Sequence, residues 1–398
     1  VALRDAVKDH RIGRAYDNEW TPLWERDPDH RVTVPFYGFQ DVTLCTYHGD
    51  VVGGDYARWL ADRAPELAAS RGPEHALPDA RYVAPQAWKT PIPEELYPTA
   101  YIRERTIETI HTMVDSGKPW MVQCSFTDPH HPFTPPGRFW DLYDPADIAL
   151  PVSFGSARVP AVVERFRHAV RDVERTGVMP FTVDERECRE MIALTYGMIA
   201  MIDEAVGMIM AELKRLEVDR ETLVIFTSDH GDWMGEHSLM LKGPYHYQGL
   251  IRTPLVWRDP AEVEPGRCED GLLSTIDIPA SILDRCGVAP YHGIQGRPIA
   301  NGAPSRAQLI VENDTQMLRD PQAPLPRVRT LITEDRWRFS IYGHLNAGEL
   351  YDLGSDPGEL CDLFEEPVHR HQRLAMAERM LFEMIALQDT SPLPSAQA

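Results

Sequence analysis

The amino-acid sequence predicts an α/β fold in which a large mixed, mostly parallel sheet is flanked by helices. Short apolar runs at 120–126 and 223–227 have no helical period, which is typical of buried strands. Segments with apolar residues at helical spacing precede them, at 101–114 and 185–216. Near the C-terminus, closely spaced strand-like segments and a final helical segment predict a small antiparallel sheet plus helix.

The bulk composition limits the classes of function. The chain has 398 residues, enough for one large α/β domain and a smaller module. Its formal net charge of −21 argues against nucleic acid or an anionic membrane surface as a partner. A small anionic substrate is still compatible with this charge, because a bound metal and a lysine invert the local field.

Cysteine usage and hydropathy bear on the compartment. The six cysteines are scattered without a C-x-x-C pair, which disfavours a zinc cage and a disulfide framework. No run of eighteen apolar residues occurs, so we expect no membrane span. Unpaired cysteines and the lack of a signal peptide favour the cytoplasm, although the chain begins at Val1 and its natural start is expected to be missing. The sequence does not determine the oligomeric state, and a homo-oligomer is compatible with it.

Two metal-capable side chains, Asp229 and His230, come directly after the apolar run at 223–227. Ligands collect outside the carboxyl ends of strands in open α/β sheets. A carboxylate beside an imidazole suits a divalent cation that also binds an oxyanion. Lys242 follows nearby and can hold a second oxygen of that anion as a point charge. The alternative is a polar loop in which Asp229 caps the next helix.

A second polar cluster repeats this arrangement. The predicted strand at 120–126 ends in T-D-P-H-H-P-F, which contains His130 and His131. If the two predicted strands are neighbours in a parallel sheet, His130 and Asp229 open into one crevice. The alternative for a single histidine is an ordinary loop residue. We expect His131 at the surface or behind the site.

The remaining helices and strands are predicted from the spacing of apolar residues and from the turn residues between them. Apolar residues at i, i+3, i+4 spacing predict a helix at 55–69, and weaker patterns predict further helices at 162–176, 274–286 and 369–388. Apolar or alternating runs predict strands at 253–257, 307–312, 328–333, 337–342 and 349–353. Asp335-Arg336 and Gly343-His344 supply the turns between the C-terminal strands.

Three stretches carry a resemblance to a known family. Residues 223–247 resemble the second signature region of the sulfatase family, within the alkaline-phosphatase-like superfamily. D-P-H-x-P-F at 128–133 and E-L-Y-D-L-G-S-D-P-G-E-L-C-D-L at 349–363 resemble two further motifs of that family. The resemblance extends from about residue 55 to residue 387, in the family's order, and implies an alkaline-phosphatase-like fold.

The resemblance also implies roles for particular residues. Asp229 and His230 would be metal ligands, Lys242 would contact the sulfate, and His130 would meet the substrate or protonate the leaving alcohol. Weaker candidates for a place behind the ligands or beside the substrate are Asp232, Glu236 and His246.

The implied activity is metal-dependent hydrolysis of a small-molecule sulfate ester. The implied cofactor is one divalent metal, calcium or manganese, with zinc or iron also open. His230 stands where many sulfatases have asparagine, and it resembles the branch that contains phosphonate monoester hydrolases, phosphodiesterases and choline-sulfatase-like members. A phosphodiesterase or phosphonate monoester hydrolase is therefore the alternative.

One part of the family pattern has no counterpart in this sequence. Sulfatases begin with a strand that ends in paired metal carboxylates, followed by C-x-P-S-R or S-x-P-S-R, whose first residue becomes the formylglycine nucleophile. None of the six cysteines begins such a motif. We interpret residues 1–326 as a sulfatase-like domain lacking its first strand or strands and its nucleophile, 327–390 as a small α+β subdomain and 391–398 as a tail. The chain alone is then expected to be inactive, and a non-catalytic homologue is a further alternative.

Overall fold

The computed structural model describes residues 18–27, 29–170, 174–261, 266, 268–299, 306–314 and 327–388. The predicted tail at 391–398 lies outside the described residues. The chain divides into two compact units. The first unit comprises Val1–Ala149 and Asp184–Thr222, and the second comprises Leu150–Val183 and Leu223–Ala398. The division predicted at residue 326 stays a prediction.

Helices and strands occur in both units. In chain order the helices are α1 (Thr21–Arg26), α2 (Asp55–Arg63), α3 (Pro65–Ala68), α4 (Pro98–Ser116), α5 (Ala161–Val170), α6 (Glu185–Arg215), α7 (Gln248–Ile251), α8 (Asp277–Arg285) and α9 (Arg370–Ala386). The strands are β1 (Cys45–Thr46), β2 (Gly53–Gly54), β3 (Phe181–Thr182), β4 (Val224–Thr227), β5 (Trp233–Met234), β6 (Leu239–Leu241), β7 (Leu255–Arg258), β8 (Gln308–Asp314), β9 (Arg327–Thr333), β10 (Trp337–Tyr342) and β11 (Ala347–Asp352).

Most predicted elements are confirmed within a few residues. The long helix predicted at 185–216 is α6, and the three predicted C-terminal strands are β9, β10 and β11. The helix predicted at 55–69 is divided into α2 and α3 at Ala64. Pro65 explains the break, because proline has no N–H to donate and disfavours the helical conformation in the residue before it.

Strand pairing differs from the expectation. The largest sheet of the described residues has the order β11-β10-β9-β8, and the smaller ones are β3-β6-β5, β4-β7 and β1-β2. Every pair of these strands is antiparallel. The small antiparallel C-terminal sheet with its helix is therefore confirmed, whereas a large, mostly parallel sheet is not.

The strand predicted at 120–126 is wrong as a paired element. This segment does not pair with another strand in the part of the chain that the structure describes. Its side chains nevertheless alternate, with Trp120, Val122, Cys124 and Phe126 half-buried and the residues between them exposed. The apolar sequence thus produces the burial pattern of a strand, but a strand also requires a neighbour that accepts its hydrogen bonds.

The core of the first unit forms around α4 and α6. Asp184 accepts a hydrogen bond from the N–H of Glu187, and the Glu187 carboxylate accepts one from the N–H of Asp184, so α6 begins in a capping box. Tyr56, Tyr97 and Tyr101 belong to the buried cluster.

By length and composition α6 could cross a membrane, but half of its most apolar window is buried in the protein, as in the core helix of a folded domain.

The core of the second unit surrounds a buried arginine. The side chain of Arg338 on β10 has no exposed surface. Its Nε lies 2.6 Å from a carboxylate oxygen of Glu359, and its Nη2 lies 3.3 Å from Glu349. Its guanidinium also stacks over the rings of Tyr247 and Tyr351, at 4.9 and 4.6 Å from their centroids. Charges this deep are stable only when they are paired and hydrogen-bonded.

Replacing this arginine tests the energetic role of the pair. We expect Arg338→Met to lower the free energy of unfolding by about 3–5 kcal/mol, because it leaves two buried carboxylates without a counter-charge. Urea unfolding monitored by tryptophan fluorescence measures the change. The control is Arg370→Met at the exposed start of α9. Equal unfolding free energies for the two variants would contradict the assigned role.

Candidate active site

The predicted metal ligands follow β4. This strand pairs with β7 and ends at Thr227, so Asp229 and His230 lie in the loop directly beyond its carboxyl end, as predicted. The N–H of Gly231 donates to the carbonyl oxygen of Leu250 at 2.8 Å. A side chain at Gly231 would overlap the carbonyl oxygen of Gly249. Glycine is therefore required here by close approach of two backbones.

Two of the predicted residues, Asp229 and Lys242, approach the Nε2 atom of a third, His230. Nε2 of His230 lies 3.3 Å from Oδ2 of Asp229 and 3.1 Å from Nζ of Lys242. Nδ1 of His230 lies 2.8 Å from the carbonyl oxygen of Gly231. Because a carbonyl oxygen can only accept, Nδ1 carries the proton. In the tautomer that carries its proton on Nδ1 alone, the lone pair of Nε2 can accept a hydrogen bond from the ammonium group of Lys242.

This donor set fits two positions around a divalent cation. The Asp229 side chain is 83% exposed and the His230 side chain 36% exposed, so both reach solvent. A ligating histidine commonly donates its other ring N–H to a carbonyl group, as His230 does. Within the described residues, no group of three or more histidine, cysteine or acidic side chains is placed to hold a metal. Asp229 and His230 therefore fit as two ligands of a larger set.

The acidic candidates Asp232 and Glu236 are half-buried close to this loop. Burial raises the pKa of Asp232 to about 6, while Lys242 and His230 oppose the shift. Burial likewise raises the pKa of Glu236, whose carboxylate accepts a 2.7 Å hydrogen bond from the N–H of Met234. Glu236 thus supports the backbone between Asp232 and Lys242, and a direct contact of either acid with substrate stays a prediction.

His246 lies deeper than the other candidates. Its side chain is buried, and its Nδ1 is 2.8 Å from the hydroxyl of Thr330 on β9. Burial lowers the pKa of His246 to about 3, with Arg338 and Arg329 adding to the shift. The imidazole is therefore neutral at physiological pH. Its place behind the metal ligands or beside the substrate stays a prediction.

The residues that hold this stretch were missed by the sequence analysis. The Tyr247 hydroxyl donates to Glu349 at 2.6 Å, and the N–H of Gln248 donates to Glu359 at 3.0 Å. The carbonyl oxygen of His246 accepts from Nη1 of Arg338 at 3.0 Å. The only signal in the sequence was the family motif at 349–363, which contains both glutamates but does not reveal their burial.

His130 belongs to the first unit. Its Nδ1 lies 2.6 Å from the carbonyl oxygen of His131, so Nδ1 carries a proton and donates it to that oxygen. His131 itself is only 4% exposed, so of its two expected positions the surface one is wrong and the one behind the site stays a prediction. Asp128, two residues earlier, is buried and accepts hydrogen bonds from the hydroxyls of Thr99 and Tyr97.

Asp128 gives this segment a measurable pH dependence. Burial raises the pKa of Asp128 to about 6, whereas an unfolded aspartate titrates near 4. The folded state therefore holds the proton more tightly, and stability present below pH 4 is lost as the pH rises through 6. We expect Asp128→Asn to gain about 2–3 kcal/mol of unfolding free energy relative to the unaltered protein between pH 4 and pH 7.

Urea unfolding at both pH values measures this difference. Asp115→Asn, at an exposed position near the end of α4, is the matched control and should show no such gain. If Asp128→Asn and the unaltered protein change in parallel with pH, folding does not raise the pKa of Asp128.

More than half of the chain, residues 55–288, matches the family model described as Sulfatase. Residues 235–386 match the model described as N-sulphoglucosamine sulphohydrolase, C-terminal. The chain belongs to the sulfatase family.

Known proteins show how far the likeness extends. The chain is 30% identical to the choline-sulfatase of Rhizobium meliloti (strain 1021), over 64% of this chain and 48% of the relative. It is 28% identical to a multifunctional alkaline phosphatase superfamily protein of Trinickia caryophylli, over 79% and 65%. The crystal structure of the phosphonate monoester hydrolase of Agrobacterium radiobacter shares the fold, with a TM-score of 0.75, 22% identity, and coverage of 92% of this chain and 76% of that one. The chain spans about half to two thirds of the length of these curated relatives.

Proposed function

We propose that the protein takes part in metal-dependent hydrolysis of small-molecule sulfate esters. The observation that carries this proposal is the convergence of Asp229 and Lys242 on Nε2 of His230. A carboxylate and an imidazole can hold a divalent cation, and an adjacent ammonium group can bind an anion at the same place. Membership of the sulfatase family supports the same reading.

Each side chain has a proposed task. Asp229 and His230 would hold the metal, which when bound polarises an oxygen of the ester. Lys242 would neutralise a peripheral oxygen of the sulfate group. Its electrostatic stabilisation would be greater in the transition state, because negative charge develops there. His130, when protonated, would donate from Nε2 to the departing alcohol, because its Nδ1 proton is committed to the carbonyl of His131.

The nucleophile is the part that these residues do not supply. The family resemblance implies a formylglycine, and no cysteine of this sequence begins the required motif. The proposal therefore concerns binding and activation of the ester by the residues named above. The metal is proposed to be calcium or manganese, with zinc or iron as alternatives that imidazole ligation favours.

A second candidate function is hydrolysis of phosphate diesters or phosphonate monoesters. It is favoured by the imidazole of His230 and by the likeness to the Trinickia caryophylli protein and the Agrobacterium radiobacter hydrolase. Sulfate monoesters and phosphate diesters resemble each other in shape and single negative charge, so one lysine and one metal could serve both.

The test is an assay of parallel esters. The protein is expressed from the start of its natural reading frame with a formylglycine-generating enzyme, supplied with manganese or calcium, and given aryl sulfate, phosphate diester and phosphonate monoester. We expect Asp229→Ala to abolish turnover and Lys242→Ala to lower kcat/KM by a factor on the order of 10² to 10³.

The control is Lys214→Ala, an exposed lysine at the end of α6, which should keep full activity. The ester with the highest kcat/KM decides between the two candidate functions. Absence of turnover with every ester would remove the catalytic assignments and favour a non-catalytic homologue.

A further inference from the structure

A second histidine lies against His130 in the first unit. The imidazole rings of His48 and His130 are stacked, with centroids 3.6 Å apart and an angle of 12° between the planes. The ring of His131 is also close, its centroid 4.0 Å from that of His130. His48 is far from His130 in sequence, so this contact results from the fold.

The loop that carries His48 is shaped for this approach. Gly49 has a φ of +59°, and a Cβ there would lie 2.7 Å from Cγ of Pro132 and 2.9 Å from Oγ1 of Thr134. Only glycine therefore lets the loop pack onto the residues that follow His130. Tyr47, on the other side of His48, also has a left-handed φ of +66°, a conformation that costs energy for any residue but glycine.

Strong contacts hold the loop in this conformation. Strands β1 and β2 pair on either side of it. Asp50 is fully buried, and its Oδ2 accepts hydrogen bonds from Nε1 of Trp88 at 3.1 Å and from the N–H of Gly72 at 3.4 Å. The loop is thus anchored immediately after His48, and the surrounding structure maintains the strained backbone.

We propose that His48 is a positioning residue that fixes the imidazole of His130. The hydrogen bond from Nδ1 of His130 to the carbonyl of His131 selects one ring orientation. The face of His48 then prevents that ring from tilting out of its plane. Together the two contacts hold Nε2 in one place. This inference rests on the proposed function, in which that nitrogen donates a proton to the departing alcohol.

Leaving-group dependence is the first arm of the test. Alkyl sulfates need a proton donor at the departing oxygen, whereas nitrophenyl sulfate releases a stable phenolate without one. We expect His48→Ala to lower kcat for an alkyl ester by a factor on the order of 10, with KM unchanged and little effect on the nitrophenyl ester. His48→Phe should restore activity, because a phenyl ring keeps the stack. His48→Ala should add nothing in a His130→Ala background.

NMR on the 398-residue chain, with 13C-labelled histidine, is the second arm and needs no turnover. The ring current of an aromatic neighbour shifts the Hε1 resonance of His130, which His130→Gln identifies. His48→Ala should move this resonance and His48→Phe should largely keep the shift. His75→Ala, an exposed histidine of the same unit, should leave it unchanged.

The two arms separate the possible failures. An unchanged His130 resonance in His48→Ala overturns the positioning role, and so does an equal loss of kcat on both classes of ester. If the unaltered protein hydrolyses no ester, the proposed function fails, while a resonance moved by His48→Ala and kept by His48→Phe still supports the fixed ring.

Discussion

The buried guanidinium of Arg338 is the interaction on which the second unit depends. It neutralises Glu349 of β11 and Glu359 beyond it, and these two carboxylates accept hydrogen bonds from Tyr247 and from the backbone of Gln248. In a medium of low dielectric constant, removing any one partner leaves another charge or polar group unpaired. The C-terminal sheet therefore holds the segment that follows Lys242, and the motif at 349–363 serves the site through packing and charge.

The features that the sequence predicted are those with a local cause. α6 is specified by its own apolar stripe and capping residues, so its ends were predicted within one residue. Asp229 and His230 follow an apolar run, and a glycine after them allows the tight backbone contact, so their position beyond β4 was also predictable. Lys242 was placed there by its nearness in the sequence as well as by the family resemblance, and its ammonium group does approach His230.

The features that were missed depend on residues far apart in the chain. The segment 120–126 has the composition of a strand, but pairing depends on a neighbour that composition cannot identify. Arg338 looks like an ordinary strand arginine until Glu349 and Glu359 are seen beside it. The stack of His48 on His130 and the burial of His246 are likewise consequences of loop packing. No period or spacing in the sequence encodes such contacts.

The two histidines assigned to chemistry share one structural device. In His130 and in His230, Nδ1 donates to the carbonyl oxygen of the next residue, so the main chain decides which ring nitrogen is reactive. A carbonyl group is present whatever side chain follows. The tautomer is thus protected from sequence drift at neighbouring positions, provided that the backbone keeps its path. Surrounding side chains could then diversify toward new ester substrates without changing the tautomer of either imidazole, a form of evolvability that is built into the peptide backbone.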